Sequence, residues 1–102
     1  MNVLIVGVFD LFHRGHLEFL NEGKEFGDTL YVLINGDSFT EKYKRRPIYS
    51  EQDRLAIVSG LSCVDFVEIT NSADIKPYLK KYQIDTIAVS YTHLTLPTTP
   101  YV

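Results

Sequence analysis

Apolar and polar positions alternate in blocks along this chain, and the blocks change period. Residues 2 to 8 (Asn-Val-Leu-Ile-Val-Gly-Val) form a continuous, β-branched run with no alternation. Such a run needs cover on both faces and predicts a buried strand of a parallel sheet. From Gly15 to Phe26 the spacing of Leu17, Leu20, Gly23 and Lys24, with Phe19 beside them, predicts a first helix, stopped by Gly27-Asp28. Thr29 to Asn35 is a second buried strand, ended by Gly36-Asp37. Residues 38 to 49 read as an irregular basic loop. Ser50 then has the character of an N-cap, with Glu51, Gln52 and Asp53 in the first turn of a second helix running to about Leu61. Val64 to Ile69 predicts a third strand. Ser72 to Tyr82 predicts a helix that Pro77 forces to be short, kinked or late in starting, and Gln83 to Val89 predicts a fourth strand. Strands alternating with helices in this way define an α/β fold: a Rossmann-like, doubly wound parallel sheet in three layers, α/β/α.

Length and charge narrow what such a fold does here. At 102 residues the chain holds one domain with a single core. A net charge of −3 speaks against a nucleic-acid partner, because such domains carry a basic surplus over one face. Any anion site must therefore be local. Cys63 is the only cysteine, which leaves neither a disulfide framework nor a thiolate metal cluster within one chain, and suits a reduced, cytoplasmic setting. The apolar run from Val3 to Phe9 is too short for a membrane span, so no membrane partner is expected.

The candidate chemistry sits where the first strand meets the first helix, in Gly7-Val8-Phe9-Asp10-Leu11-Phe12-His13-Arg14-Gly15-His16. Gly7 lets the backbone approach a ligand closely, the following amides can face an anion, and the first helix aims its positive end at the same place. His13 and His16, three apart, can both donate to phosphate oxygens, and two donors at one anion suit charge that develops in a transition state. The same residues also fit ordinary polar positions at a helix start, or, with Asp10, a metal pair lacking an obvious third ligand. Asp37, at the carboxyl edge of the sheet, is where ligands of such folds collect. Arg54 either reaches the site from the second helix or pairs with Glu51 or Asp53.

The pattern Gly-x-Phe-Asp-x-x-His-x-Gly-His resembles the signature of the cytidylyltransferase-like nucleotidyltransferases, of the glycerol-3-phosphate cytidylyltransferase type. The likeness continues through Gly27-Asp28, Asn35-Gly36-Asp37 and Arg46-Pro47-Ile48-Tyr49-Ser50-Glu51-Gln52-Asp53-Arg54, roughly residues 1 to 88. The resemblance implies transfer of a nucleoside monophosphate, CMP from CTP first among the options, to a phosphorylated small molecule such as glycerol 3-phosphate, with magnesium pyrophosphate leaving. Its alternatives are an adenylyltransferase using ATP with a sugar phosphate or flavin mononucleotide, and an inactive nucleotide-binding module. It gives Mg²⁺ as the cofactor travelling with the triphosphate, assigns no protein metal ligands, and is compatible with a homodimer. His13, His16 and Arg45 would act on the reacting phosphate. Gly7, Val8, Phe9, Asp10 and Gly15 would hold the nucleotide. Asp37, Lys42, Lys44, Arg54 and Lys76 would face the acceptor or the phosphates. Tyr43 stands where the family places a lysine, which opens the choice of acceptor. A flavodoxin-like binding domain would leave both histidines without a use.

From Ser90 to Val102 the chain has no Lys, Arg, Asp or Glu, and Val-Ser-Tyr-Thr-His-Leu resembles the conceptual translation of a transposase-adapter end. Residues 89–102 are accordingly read as a non-native tail in which His93 has no role, and residues 1–88 as a domain lacking its last elements. The resemblance places a Gly/Asp-rich loop and a Ser/Thr-rich, triphosphate-binding helix start after the fourth strand. The chain is therefore expected to bind nucleotide weakly and to turn over poorly.

Overall fold

The computed structural model describes residues 1–43, 45–89 and 94–97. Its elements run β1 (Asn2–Gly7), α1 (Arg14–Glu25), β2 (Thr29–Asn35), α2 (Asp37–Tyr43), α3 (Glu51–Ser59), β3 (Phe66–Thr70), α4 (Lys76–Lys81), β4 (Thr86–Val89) and β5 (Leu94–Pro97). One sheet holds the strands in the order β3-β2-β1-β4-β5. The first four are parallel, with Ile5 of β1 opposite Val32 on one side and Ala88 on the other, and β5 runs antiparallel to β4. His93 and residues 98–102 lie outside the described residues, so the reading of the segment after Val89 meets the structure only at Val89 and β5.

The uninterrupted apolar run of β1 is explained by cover on both faces. Val3 and Ile5 pack with Phe19 and Leu20 of α1 and Val58 of α3, whereas Leu4 and Val6 pack with Tyr78 and Leu79 of α4. Helices thus lie on both sides of the sheet, in the expected three layers. Gly23 lets α1 close onto β1, since a Cβ there would come within 2.4 Å of Ile5 Cδ1. At about 25 cal/mol per Å² of apolar surface removed from water, each fully buried Leu or Ile of β1 and β2 contributes roughly 1.5–3 kcal/mol.

Four local expectations are corrected. The segment after Asp37 is helical through Tyr43, not irregular: Thr40 N–H closes a turn on Gly36 C=O, and Thr40 is buried. Leu17, expected on the buried stripe of α1, is 37% exposed because that helix begins at Arg14 and turns Phe19, Leu20 and Gly23 inward. Helix α4 starts at Lys76 with Pro77 in its first turn, where the missing N–H costs nothing, and Ser72 binds the Asp74 N–H instead of capping it. The third strand runs Phe66–Thr70, and Val64 belongs to the turn before it. Ser50 does cap α3, accepting the Asp53 N–H at 3.2 Å. No helix among the described residues is long and apolar enough to cross a membrane.

Candidate functional site

The chain leaves β1 through a strained turn. Phe9 (φ 56°) and Leu11 (φ 50°) both lie in the left-handed region, which bulky residues enter only when the surroundings over-determine them. Burial supplies that constraint for Phe9, which is 5% exposed and sets its ring edge-on to His16 at 5.7 Å between centroids. A Cβ on Gly7 would sit 2.9 Å from Phe9 Cε2, so glycine is what allows the ring to fold back over the strand end.

The turn delivers the chain into a helix capped by its own histidines. His13, extended at φ −138°, is the N-cap of α1, and its Nδ1 accepts the Gly15 N–H at 2.9 Å. His16 Nδ1 accepts the His13 N–H at 3.1 Å. This is a capping box built from two imidazoles in place of the usual hydroxyl and carboxylate. A neutral imidazole that accepts at Nδ1 carries its proton on Nε2, so both rings present an Nε2–H donor away from the helix backbone. The rings stack at 4.0 Å between centroids. Gly15 is fixed by the same geometry, because a Cβ there would lie 2.7 Å from His13 Cε1. Burial, and then the neighbouring His13, push the pKa of His16 below its ordinary 6.5 against an opposing pull from Asp10. His16 is thereby kept a neutral hydrogen-bond donor at pH 7.

A cavity of about 560 Å³ opens at this corner of the sheet's carboxyl edge. Val6, Gly7, Val8, Phe9 and Asp10 form one wall, Gly15, His16 and Phe19 a second, Asn35 and Thr40 a third, and Arg45, Arg46 and Pro47 the last. Asp10 spans from the turn to the far loop: its carboxylate accepts the Ile48 N–H at 2.8 Å and the Tyr49 N–H at 2.9 Å. Desolvation raises the Asp10 pKa, but the backbone N–H groups of Tyr49, Ile48 and Leu11, with Arg54 behind them, outweigh it and hold the carboxyl below its usual value.

Behind the cavity Arg54 is fully buried. Its guanidinium donates to Val8 C=O at 2.8 Å, Asn35 C=O at 2.6 Å, Tyr49 C=O at 3.1 Å and Asp37 Oδ1 at 2.6 Å. Asp37 is tied further to α3, donating its N–H to Glu51 and accepting the Glu51 N–H. Arg54 and Asp37 therefore meet each other, and Arg54 joins the ends of β1 and β2 to the loop before α3.

Of the residues singled out from sequence, the structure brings Gly7, Val8, Phe9, Asp10, Gly15, His16 and Arg45 to one cavity, with His13 stacked on its wall. Asp37 and Arg54 form its support. Lys42, on α2, and Lys76, at the start of α4, are exposed and do not line it. Lys44 lies outside the described residues. Asn35, Thr40 and Arg46 line the cavity without having been singled out. Asn35 ends a strand at the carboxyl edge and Arg46 adjoins Arg45, signals the sequence did carry; Thr40 depended on the unforeseen α2.

Fold and site together define a Rossmann-like α/β protein whose histidine-capped helix and cationic loop meet at one cavity. The chain belongs to the Cytidylyltransferase-like family, whose family model matches residues 4–98. It is 40% identical over 89 residues to the FAD synthase of Methanococcoides burtonii and 35% identical over 89 residues to that of Methanocella arvoryzae, in each case over 87% of this chain. The chain spans 62% and 63% of the lengths of those two proteins, respectively. It is also 45% identical over 65 residues to the bifunctional protein HldE of Helicobacter pylori, over 62% of this chain and 14% of that protein. A crystal structure of a lipopolysaccharide core biosynthesis protein from Thermoplasma volcanium superposes with a TM-score of 0.81 at 34% identity, covering 86% of this chain and 72% of that one.

Proposed function

We propose that this chain carries a nucleotidyl-transfer site. In this reading a phosphate oxygen of a small acceptor attacks the α-phosphorus of a nucleoside triphosphate, the bond from that phosphorus to the bridging oxygen breaks, and pyrophosphate leaves. Negative charge gathers on the α-phosphate oxygens as they pass through the five-coordinate arrangement. The Nε2–H groups of His13 and His16 supply donors there whose orientation is fixed by the helix cap before substrate arrives, so little reorganisation accompanies the reaction. Arg45 and Arg46 offset the charge of the triphosphate from the opposite wall, while the open backbone at Gly7 and Val8 leaves room for the phosphates. Catalysis then rests on positioning and electrostatics, as in other phosphoryl transfers.

The single observation that carries this reading is the reciprocal histidine cap, which pins both imidazoles as Nε2–H donors at a helix N-terminus beside the cavity. Magnesium enters as part of the triphosphate substrate. Its ligands would come chiefly from phosphate oxygens and water, as is usual for this ion with a nucleotide.

For donor and acceptor, the FAD synthases among the relatives favour ATP and flavin mononucleotide. CTP with glycerol 3-phosphate is the reading of the motif alone. Pyrophosphate release measured for ATP and CTP, each with flavin mononucleotide and with glycerol 3-phosphate, separates the two. Release with ATP only when flavin mononucleotide is present supports the flavin reading, and release with CTP and glycerol 3-phosphate replaces it. No binding of either triphosphate, or an unchanged rate in His16→Ala, sinks nucleotidyl transfer altogether.

A further inference from the structure

The loop that brings cations to the cavity has little of its own to hold it there. Ile48 and Tyr49 are 62% and 38% exposed, so apolar burial does not anchor it. The Arg46–Glu41 ion pair is solvent-exposed at 3.2 Å and stiffens it weakly. Among the described residues, the backbone of 45–49 hydrogen-bonds to two side chains: Asp10, through the N–H groups of Ile48 and Tyr49, and Arg54, through Tyr49 C=O. Both Asp10 oxygens are used, one per amide, and Asp10 itself sits in the turn between the left-handed residues Phe9 and Leu11.

We propose that Asp10 is a positioning residue: its carboxylate latches the Pro47–Tyr49 loop to the strand-end turn and so fixes Arg45 and Arg46 over the cavity, acting on a triphosphate through those cations. The identity of the anion rests on the nucleotidyl-transfer reading; the latch itself does not. A carboxylate suits the task because it accepts two neighbouring N–H groups at once. Asparagine can offer one oxygen, and its NH₂ would then face the second amide.

The test combines proteolysis with binding on the whole chain. Trypsin should cut after Arg45 several-fold faster in Asp10→Asn than in the wild type, while cleavage after Arg54, which is fully buried and reached only on unfolding, rises by less. Asp10→Ser serves in place of Asp10→Asn should the latter lose its fold. In parallel, the affinity for MgATP and MgCTP is measured in Asp10→Asn, the Arg45→Ala/Arg46→Ala pair and the triple variant. Asp10→Asn should weaken binding about tenfold, of the order expected when a charge-assisted hydrogen bond is lost. The triple variant should bind no worse than the Arg45→Ala/Arg46→Ala pair, because all three changes disable one device. Losses that multiply would mean that Asp10 meets the ligand independently, and an unchanged cut after Arg45 would mean that the loop is held by something else; either overturns the proposal. If the wild type binds neither triphosphate, nucleotidyl transfer fails as a reading, and the trypsin rates alone decide the latch.

Discussion

His16 accepts the backbone N–H of His13 at 3.1 Å while the two rings stack at 4.0 Å, so the second histidine of the pair holds the first in place. Each ring has two tasks, capping through Nδ1 and donation through Nε2, and substitution can separate them. Serine is a better N-cap than histidine, and glutamine is the ordinary N3 partner of a capping box. His13→Ser and His16→Gln should therefore keep unfolding free energy within about 0.5 kcal/mol of the wild type, while His13→Ala costs about 1 kcal/mol. Transfer should nevertheless fall by about 10²–10³ in His16→Gln, the loss typical of removing one preorganised donor. Urea titrations beside pyrophosphate release would show this, and equal losses of stability and rate would argue that the histidines serve only the helix.

Gly15 offers a sharper version of the same argument. Alanine is the better helix former by about 1 kcal/mol, so on propensity alone Gly15→Ala should stabilise α1. Its Cβ, however, would lie 2.7 Å from His13 Cε1 and push that ring off both its cap and its stack. The expected outcome is a variant no more stable than the wild type with at least tenfold weaker triphosphate binding, on the order of one lost charge-assisted contact. Gly60→Ala is the control: its Cβ meets nothing closer than 3.6 Å at an ordinary φ of −83°, and it should be neutral or slightly stabilising in the same thermal melt.

Arg54 and Asp37 form a pair at 2.6 Å in which the arginine is fully buried and the aspartate mostly so. Such a pair is weak evidence for net stability, but breaking it is costly, because the survivor keeps its charge without a partner. Arg54→Ala additionally strands the carbonyls of Val8 and Asn35. It should lose about 3–5 kcal/mol in a urea titration, and Arg54→Lys should recover part of that by restoring the charge without the planar fork. A loss below about 1 kcal/mol would mean that water enters and solvates the gap.

The sheet was readable because β1 and β2 are apolar on both faces, which a chain tolerates only between two helical layers. Gly7, Asp10, His13, Gly15 and His16 were readable because one short segment holds them. What depended on contacts between distant residues was not. Nothing local in residues 37 to 43 marks α2, which forms where Gly36 closes onto Thr70 and Asp37 locks onto Arg54. Arg54 likewise had acidic neighbours at Glu51 and Asp53, yet its partner is Asp37, 17 positions away, because the helix turns that side chain into the sheet edge rather than along its own surface. The use of Asp10 as a tie to Ile48 and Tyr49, 38 and 39 positions on, has the same origin.

The pH dependence of stability follows from the signs of two shifts. His16 is depressed by burial and by His13, so the unfolded chain takes up a proton before the folded one does. Unfolding free energy rises with pH wherever the unfolded state binds more protons. The contribution of His16 is therefore complete above its ordinary value of 6.5 and is lost as pH falls from there through the lowered folded-state value. Asp10 is depressed as well, so its contribution is complete above the ordinary carboxylate value of 3.8 and lost as pH falls through its own lowered value, which separates the two on the pH axis. Urea midpoints measured from pH 8 to about pH 2 should fall as the solution is acidified through the histidine range, and His16→Gln should flatten that step while leaving the decline below the carboxylate value in place. Protonation of His16 also sacrifices the bond from His13 N–H to Nδ1, so helix α1 should loosen in the same window. Protection of the His13 and Gly15 amides against hydrogen exchange, taken relative to the intrinsic rate at each pH, should fall there, and protection unchanged across that range would show that the helix start is held by something other than its imidazole caps.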